Sequence, residues 1–323
     1  MSPNVIEEAL AVLCARYIFP EKAEAAAAAI RRREQAGEYA GLDERQLGER
    51  LTAELFEICE DTHLRVRVRG AELHAALTQD EMVAVYREQI KLANYGIARV
   101  ERLDGNIGYL DLRQIPEASM GGRAIVAAME LVSHTEALII DLRRNRGGVP
   151  NGVSLWHSYL FPDDETHLNS IYDGESGNTR QYWSQAYLPG ERYLDRPVYV
   201  LISGVTFSAG EEFCYNVQAL GRATLIGQTT RGGAHPTRFF PITPTLEITV
   251  PIARAVNPVT GGNWEGTGVV PDIEVPAEEA LATAYRRALE HVLAGSAAAA
   301  VQEEARAALD GLAPAEPAET VAA

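Results

Sequence analysis

Lysine is nearly missing from this 323-residue chain. Lys22 and Lys91 are the two present, and arginine supplies the other 27 of the 29 basic residues. No lysine follows Lys91, so a lysine general base is excluded beyond that point, because arginine does not give up its proton in proteins. Cysteine is scarce as well. Cys14, Cys59 and Cys214 are odd in number and show no CxxC spacing, which argues against a disulfide framework or a thiolate metal site and for buried free thiols. Positive charge is in deficit, with a net charge of −16. That excludes nucleic acid, which needs basic residues to displace its counterions, and disfavours an anionic membrane surface. No apolar run approaches the ~20 residues of a membrane span. The first residues, through Glu7 and Glu8, are acidic where a signal peptide is basic. The expectation is a soluble cytoplasmic protein with no membrane or nucleic-acid partner. No metal or nucleotide motif is present, so neither a metal nor a cofactor is expected.

What is present is ample apolar material, 46% of residues, and enough length for two domains or one large one. Ile6, Leu10, Leu13 and Tyr17 recur at helical spacing, as do Leu47, Leu51, Leu55 and Ile58. Arg65 to Arg69 then alternates with Val66 and Val68 at the period of a half-buried strand. From about residue 98 apolar strands (Ile107–Leu112, Ala137–Leu142, Val198–Ile202, Thr224–Ile226) alternate with helical stretches, the mark of parallel pairing through crossover helices. The expected division is an N-terminal helical domain ending in a strand over 1–75, a connecting helix or linker over 76–97, an α/β domain over 98–294, and an Ala/Glu/Pro-rich tail over 295–323, part helix and part disorder.

Five runs could carry chemistry. Asp141-Leu142-Arg143-Arg144-Asn145-Arg146-Gly147-Gly148 follows an apolar strand. Its glycine pair permits a tight turn that aims backbone N–H groups at one point, as an oxyanion requires; a plain strand-exit turn reads the same way. Thr206-Phe207-Ser208-Ala209-Gly210-Glu211 follows another strand and opens a helix. Ser208 is there either an N-cap with Glu211 completing a capping box, or a nucleophile placed where the helix dipole favours negative charge. Asp61-Thr62-His63 and Gly232-Gly233-Ala234-His235-Pro236 each offer a histidine. Trp264-Glu265-Gly266 offers a glutamate that a tight loop would desolvate.

In this order the five runs resemble the C-terminal-processing (tail-specific) peptidase family, and within it the branch of the interphotoreceptor retinoid-binding protein. The resemblance covers residues 100–290 and implies an α/β fold: a crotonase/Clp-protease-like catalytic domain preceded by an N-terminal helical domain. It also implies a serine peptidase with Ser208 as nucleophile and N–H groups of Gly147 or Gly148 and of Ala209 as oxyanion hole. The chain departs from the processing branch at its base. That branch places a lysine in a Gly-Lys-Gly element, where this sequence has Gly233. Tricorn-protease-like serine peptidases, which the chain also resembles, use histidine and glutamate instead. The matching residues are His63 as base and Glu265 as support, with His235 the second candidate for the base.

Peptides are the substrates this resemblance implies. Retinoid-binding relatives keep the fold to carry hydrophobic small molecules, and the aromatic stretch from Trp156 to Tyr187 suits an apolar pocket. A specialised biosynthetic hydrolase or cyclase reusing the serine is a third reading. A homodimer is compatible with the sequence.

Overall fold

The computed structural model describes residues 5–69, 79–163 and 165–312. The first three expected linker residues, 76–78, and the tail from 313 lie outside them. Within the described residues the elements run α1 (Val5–Arg16), α2 (Pro20–Gln35), α3 (Glu44–Cys59), β1 (Arg65–Val68), α4 (Gln79–Leu92), β2 (Ile97–Leu103), β3 (Ile107–Leu112), α5 (Ala118–Val132), β4 (Ala137–Asp141) and α6 (Pro150–Ser158). There follow β5 (His167–Asp173), β6 (Thr179–Trp183), β7 (Val198–Ile202), α7 (Ala209–Ala219), β8 (Thr224–Gly227), β9 (Thr237–Pro241), β10 (Leu246–Pro251), β11 (Ala253–Val256), β12 (Ile273–Glu274), α8 (Ala280–Ala294) and α9 (Ala299–Gly311). No helix of the described residues is long and apolar enough to cross a membrane.

Two compact units divide the chain. The first comprises Met1–Gln89, His167–Trp183 and Gly232–Gly268. Local signals set its helices: Pro20 opens α2, and Asp43 and Gln46 form a reciprocal capping box at the head of α3. Glu60 ends α3 in the left-handed region at φ 54°, which turns the chain into Asp61-Thr62-His63. Strand β1 has no partner nearby in sequence. It pairs antiparallel with β10, Val66 opposite Ile248, and β9 completes the sheet. Leu13, Ile30, Leu51 and Leu55 pack with Ile248 and Val250 in one core, each such side chain contributing roughly 1.5–3 kcal/mol. A second antiparallel sheet has the order β11-β5-β6.

The second unit comprises Ile90–Thr166, Ser184–Arg231 and Val269–Ala323. Its six-stranded sheet has the order β12-β8-β7-β4-β3-β2, parallel except for the β2–β3 pair. Strands β3 and β4 are buried along their whole length, as expected for strands covered on both faces. Ile107, Tyr109, Ala137, Ile139, Leu201 and Ile226 form one core with α8 and α9. The mixed α/β class expected from the sequence is therefore present, with parallel strands where apolar runs alternate with helices. The carboxyl ends of neighbouring β4 and β7 release the two runs singled out above, residues 142–148 and 203–208. That end of a parallel sheet is where α/β folds build their sites.

The units are interleaved, whereas the expected boundaries were consecutive. Residues 167–183 and 232–268 lie inside the expected 98–294 domain but cluster with the N-terminal helices. The reason is pairing: a four-residue strand such as β1 needs a ladder partner, and β10 supplies it. Elements absent from the sequence reading are β2, the β5–β6 hairpin, α6 and β12. Strand β6 is exposed nearly throughout and so lacks an apolar period.

Candidate active site

Ser208 stands between β7 and α7 with φ 55° and ψ −121°. A non-glycine residue seldom adopts such a backbone, and holding it costs roughly 1–3 kcal/mol. A strained serine on a sharp strand-to-helix turn has the form of a nucleophile elbow, and Ser208 also forms a capping box with Glu211 at the head of α7. Two side-chain hydrogen bonds and one backbone bond brace the turn against the loop after β4. Thr206 Oγ1 donates to the Leu142 carbonyl (2.8 Å), Ser203 Oγ to that of Arg143 (2.7 Å), and the Phe207 N–H to that of Asn145 (3.1 Å).

The run from Asp141 to Gly148 is itself pinned. Arg143 grips the Asp141 carboxylate with two N–H groups, at 3.0 and 2.6 Å, and Tyr109 donates to the same carboxylate at 2.7 Å. Burial pushes the Asp141 carboxyl up, but Arg143 and Tyr109 more than offset it and hold it below its ordinary value. A further Arg143 N–H reaches the Ala277 carbonyl at 2.7 Å. Asn145, fully buried, donates to the Leu112 carbonyl and accepts the Gly147 N–H at 2.8 Å.

That last bond bears on the two glycines offered for an oxyanion hole. The Gly147 N–H is committed to Asn145 Oδ1. Gly147 serves by having no side chain: a Cβ there, at φ +104°, would stand 2.8 Å from the Ser208 Cβ. Gly148 is equally constrained, since its Cβ would fall 1.8 Å from the Ile115 carbonyl oxygen. Among the described residues no acceptor takes the N–H of Gly148 or of Ala209. Two amides beside a strained serine, both unclaimed, can receive a developing oxyanion.

The histidines and Glu265 belong to the first unit. Asp61, 1% exposed, accepts the His63 N–H at Oδ1 (3.1 Å) and the Tyr17 hydroxyl at Oδ2 (3.1 Å). His235 Nδ1 lies 2.7 Å from the same Oδ2 and 3.4 Å from Glu265 Oε2. The His235 ring is 5% exposed and packs on Phe19 at 5.3 Å between centroids. Glu265 accepts the Thr62 N–H at Oε1 (3.0 Å) and the Ala234 N–H at Oε2 (2.5 Å), so it clips the Thr62–His63 turn to the Gly233–His235 loop. Trp264 Nε1 donates to the Gly233 carbonyl at 2.7 Å and closes that loop. Burial, then the charge of Asp61, raises the Glu265 carboxyl above its ordinary range, the desolvation its position after Trp264 suggested. His63 is half-buried and its peptide is held on both sides, the carbonyl accepting from Thr249 Oγ1 at 2.5 Å.

Asp61, His235 and Glu265 also place ligand atoms within 4.8 Å of one another, the spacing of a cation site. Their oxygens accept from Tyr17, Thr62, His63 and Ala234, however, which reads as a hydrogen-bonded brace for the two loops. Sequence reasoning missed the tie between Asp61 and His235, and also Asn145. Asp61, two residues before His63, was the one signal available.

A strand–strained serine–helix turn with two unclaimed amides beside it has the parts that nucleophilic acyl transfer needs. The comparisons agree with that class. The model of peptidase family S41 matches residues 106–275, and the model of the N-terminal domain of S41 peptidases in eukaryotic IRBP matches residues 1–103. The chain belongs to peptidase family S41. It is 25% identical over 256 residues to a carboxyl-terminal-processing protease of Picosynechococcus sp., covering 79% of this chain and 58% of that one. It is 26% identical over 190 residues to a carboxy-terminal-processing protease of Bartonella bacilliformis, covering 57% and 42%. The chain thus spans about half the length of these curated relatives. Among solved structures, a protein of Parabacteroides merdae assigned as a peptidase superposes with a TM-score of 0.57 at 18% identity, over 84% of this chain and 89% of that one. A lipoprotein from Streptococcus agalactiae gives 0.53 at 15% identity, over 88% and 96%. Both show a shared fold.

Proposed function

We propose that this protein is a serine peptidase acting on peptides, with carboxyl-terminal processing, the activity named for its relatives, as the class of reaction. The observation that carries the reading is Ser208, held in an elbow beside the unclaimed amides of Gly148 and Ala209. In the proposed reaction Ser208 Oγ attacks the scissile carbonyl while its proton passes to a neutral histidine. The two amides take the charge of the tetrahedral oxyanion, and the histidinium returns its proton to the leaving amine. Water then releases the acyl group by the same steps in reverse order.

For the base the proposal takes His63 over His235. A base must reach the serine proton, and His235 is sunk to 5% exposure with Nδ1 against Asp61 and its ring on Phe19. His63 is more open, and Asp61, Thr249 and the Glu265–Thr62 bond brace the peptide that carries it. On this reading Glu265 and His235 set the position of the His63 turn. A fluorogenic peptide library tests the function: wild type should cleave a subset that Ser208→Ala does not. Equal inactivity of the two on every peptide would rule out the peptidase reading.

The match of residues 1–103 to the IRBP domain favours one second reading, a hydrophobic-ligand carrier. The cavity between Leu10, Leu13, Ile30, Leu51 and Leu55 has room for about one water, so such a ligand would have to lie elsewhere. Titration with a fluorescent fatty acid or retinoid analogue distinguishes the two.

A further inference from the structure

Ser208 keeps a backbone that L-residues seldom adopt, so its neighbours must hold it there. Its N–H donates to Glu211 Oε2 at 2.8 Å, and the Glu211 N–H donates back to the Ser208 carbonyl at 2.8 Å. A helix cap would stop at this point. Glu211 goes further: it is wholly buried, at 0% exposure, and its Oε1 accepts the Thr230 hydroxyl at 2.5 Å. Thr230 Oγ1 in turn accepts the Val269 N–H at 2.7 Å, and the Thr230 N–H donates to the Val269 carbonyl at 3.1 Å. One carboxylate therefore ties together the nucleophile turn, the chain just after β8 and the chain just before β12. A cap on the surface needs no such burial, and a buried carboxylate is costly unless its oxygens are engaged. Here both are engaged, and the head of α7 favours the negative charge.

We propose that Glu211 is a positioning residue for Ser208, with Thr230 as its second member. This rests on the reading of Ser208 as nucleophile. Glu211 holds the Ser208 N–H, and Thr230 anchors Glu211 to the Thr230–Val269 pair. Ser208, Glu211, Thr230 and Val269 all belong to the second unit. The bridge thus secures the Ser208 turn to the chain just after β8 and just before β12 within that unit. Glu211 touches no reacting atom in this role. It sets the rate at which a bound electrophile is attacked, not how tightly it binds.

The test uses the full chain and a fluorophosphonate probe, whose phosphorus bonds to the serine oxygen as fluoride leaves and the serine proton passes to the base. Saturation kinetics separate probe affinity from the bond-forming rate. Glu211→Gln keeps the shape but places an NH2 group where an acceptor is needed. It should slow bond formation about 10–100-fold, the scale of a small misplacement, with probe affinity changed by less than about twofold and the assay run well below the melting temperature. Thr230→Val should slow it about tenfold, and Thr230→Ser, which restores the hydroxyl, should rescue it. If Glu211→Gln does not fold, the Thr230 pair carries the test. An unchanged bond-forming rate in Glu211→Gln, or equal rates in Thr230→Val and Thr230→Ser, overturns the positioning role. A wild type that the probe does not modify at Ser208 overturns the nucleophile reading, and this proposal with it.

Discussion

The Cβ of Ser208 occupies space that any side chain at position 147 would need: a Cβ built on Gly147 would lie 2.8 Å from it and 3.2 Å from the Phe207 carbonyl oxygen. The two residues leave neighbouring parallel strands, so the Ser208 turn and the glycine turn are shaped to each other. Gly147→Ala must then either shift Ser208 or strain its own backbone at φ +104°. The expected loss is about 1–3 kcal/mol of stability and roughly a hundredfold in attack rate. Thermal melting and fluorophosphonate labelling read the two. Wild-type labelling by Gly147→Ala would show that the close approach does not matter.

His157 gives a prediction about pH. It is fully buried, its ring packed against Phe161 and Phe213. Burial lowers its pKa from 6.5 to about 3. The unfolded chain takes up this proton below pH 6.5 while the folded chain does not, so stability falls as pH drops from 6.5 toward about 3, by up to about 1.4 kcal/mol per pH unit. His157→Leu should flatten that limb in urea titrations at pH 7 and pH 5. At pH 7 it should be close to neutral, because an apolar side chain of similar size fills the same buried space. A limb of unchanged slope would place the acid sensitivity elsewhere.

Asp61 gives a prediction about stability. Asp61→Ala leaves the Tyr17 hydroxyl, the His63 N–H and His235 Nδ1 without their acceptor, at a cost of about 3–5 kcal/mol. Asp61→Asn keeps an acceptor oxygen and should cost less than half as much. Urea unfolding followed by helical circular dichroism measures both. Equal costs would mean that the charge, and not the hydrogen-bond geometry, holds the cluster.

The two histidines should separate by phenotype. His63→Ala is expected to lose roughly 10²–10⁴-fold in activity, the scale of a general base, with little change in melting temperature. His235→Ala should lose stability first, because its ring fills the space between Asp61 and Phe19. Steady-state kinetics with melting curves on both variants check this. Full activity in His63→Ala with loss in His235→Ala would reverse the assignment.

Much of this was legible in the sequence where local signals and burial agree. Strands β3, β4 and β7 read as apolar runs because the sheet covers both faces, and α7 follows a turn whose residue types suit a helix start. The strain at Ser208 was not legible, since serine carries no preference for positive φ. The choice between Gly147 and Gly148 was hidden for a related reason: a glycine pair advertises two N–H groups, but Asn145 Oδ1 claims one, and which one depends on a side-chain rotamer. The interleaving of units was hidden because β1 finds its partner β10 far along the chain. The β5–β6 hairpin offers polar, exposed residues in place of an apolar period.

The most direct measurement is site mapping of a fluorophosphonate adduct on the intact protein, by peptide mass spectrometry, across wild type, Ser208→Ala and His63→Ala. The account predicts a single adduct on Ser208 in wild type, none in Ser208→Ala, and formation slowed at least about a hundredfold in His63→Ala. An adduct on another residue, or peptide cleavage that survives Ser208→Ala, would contradict it.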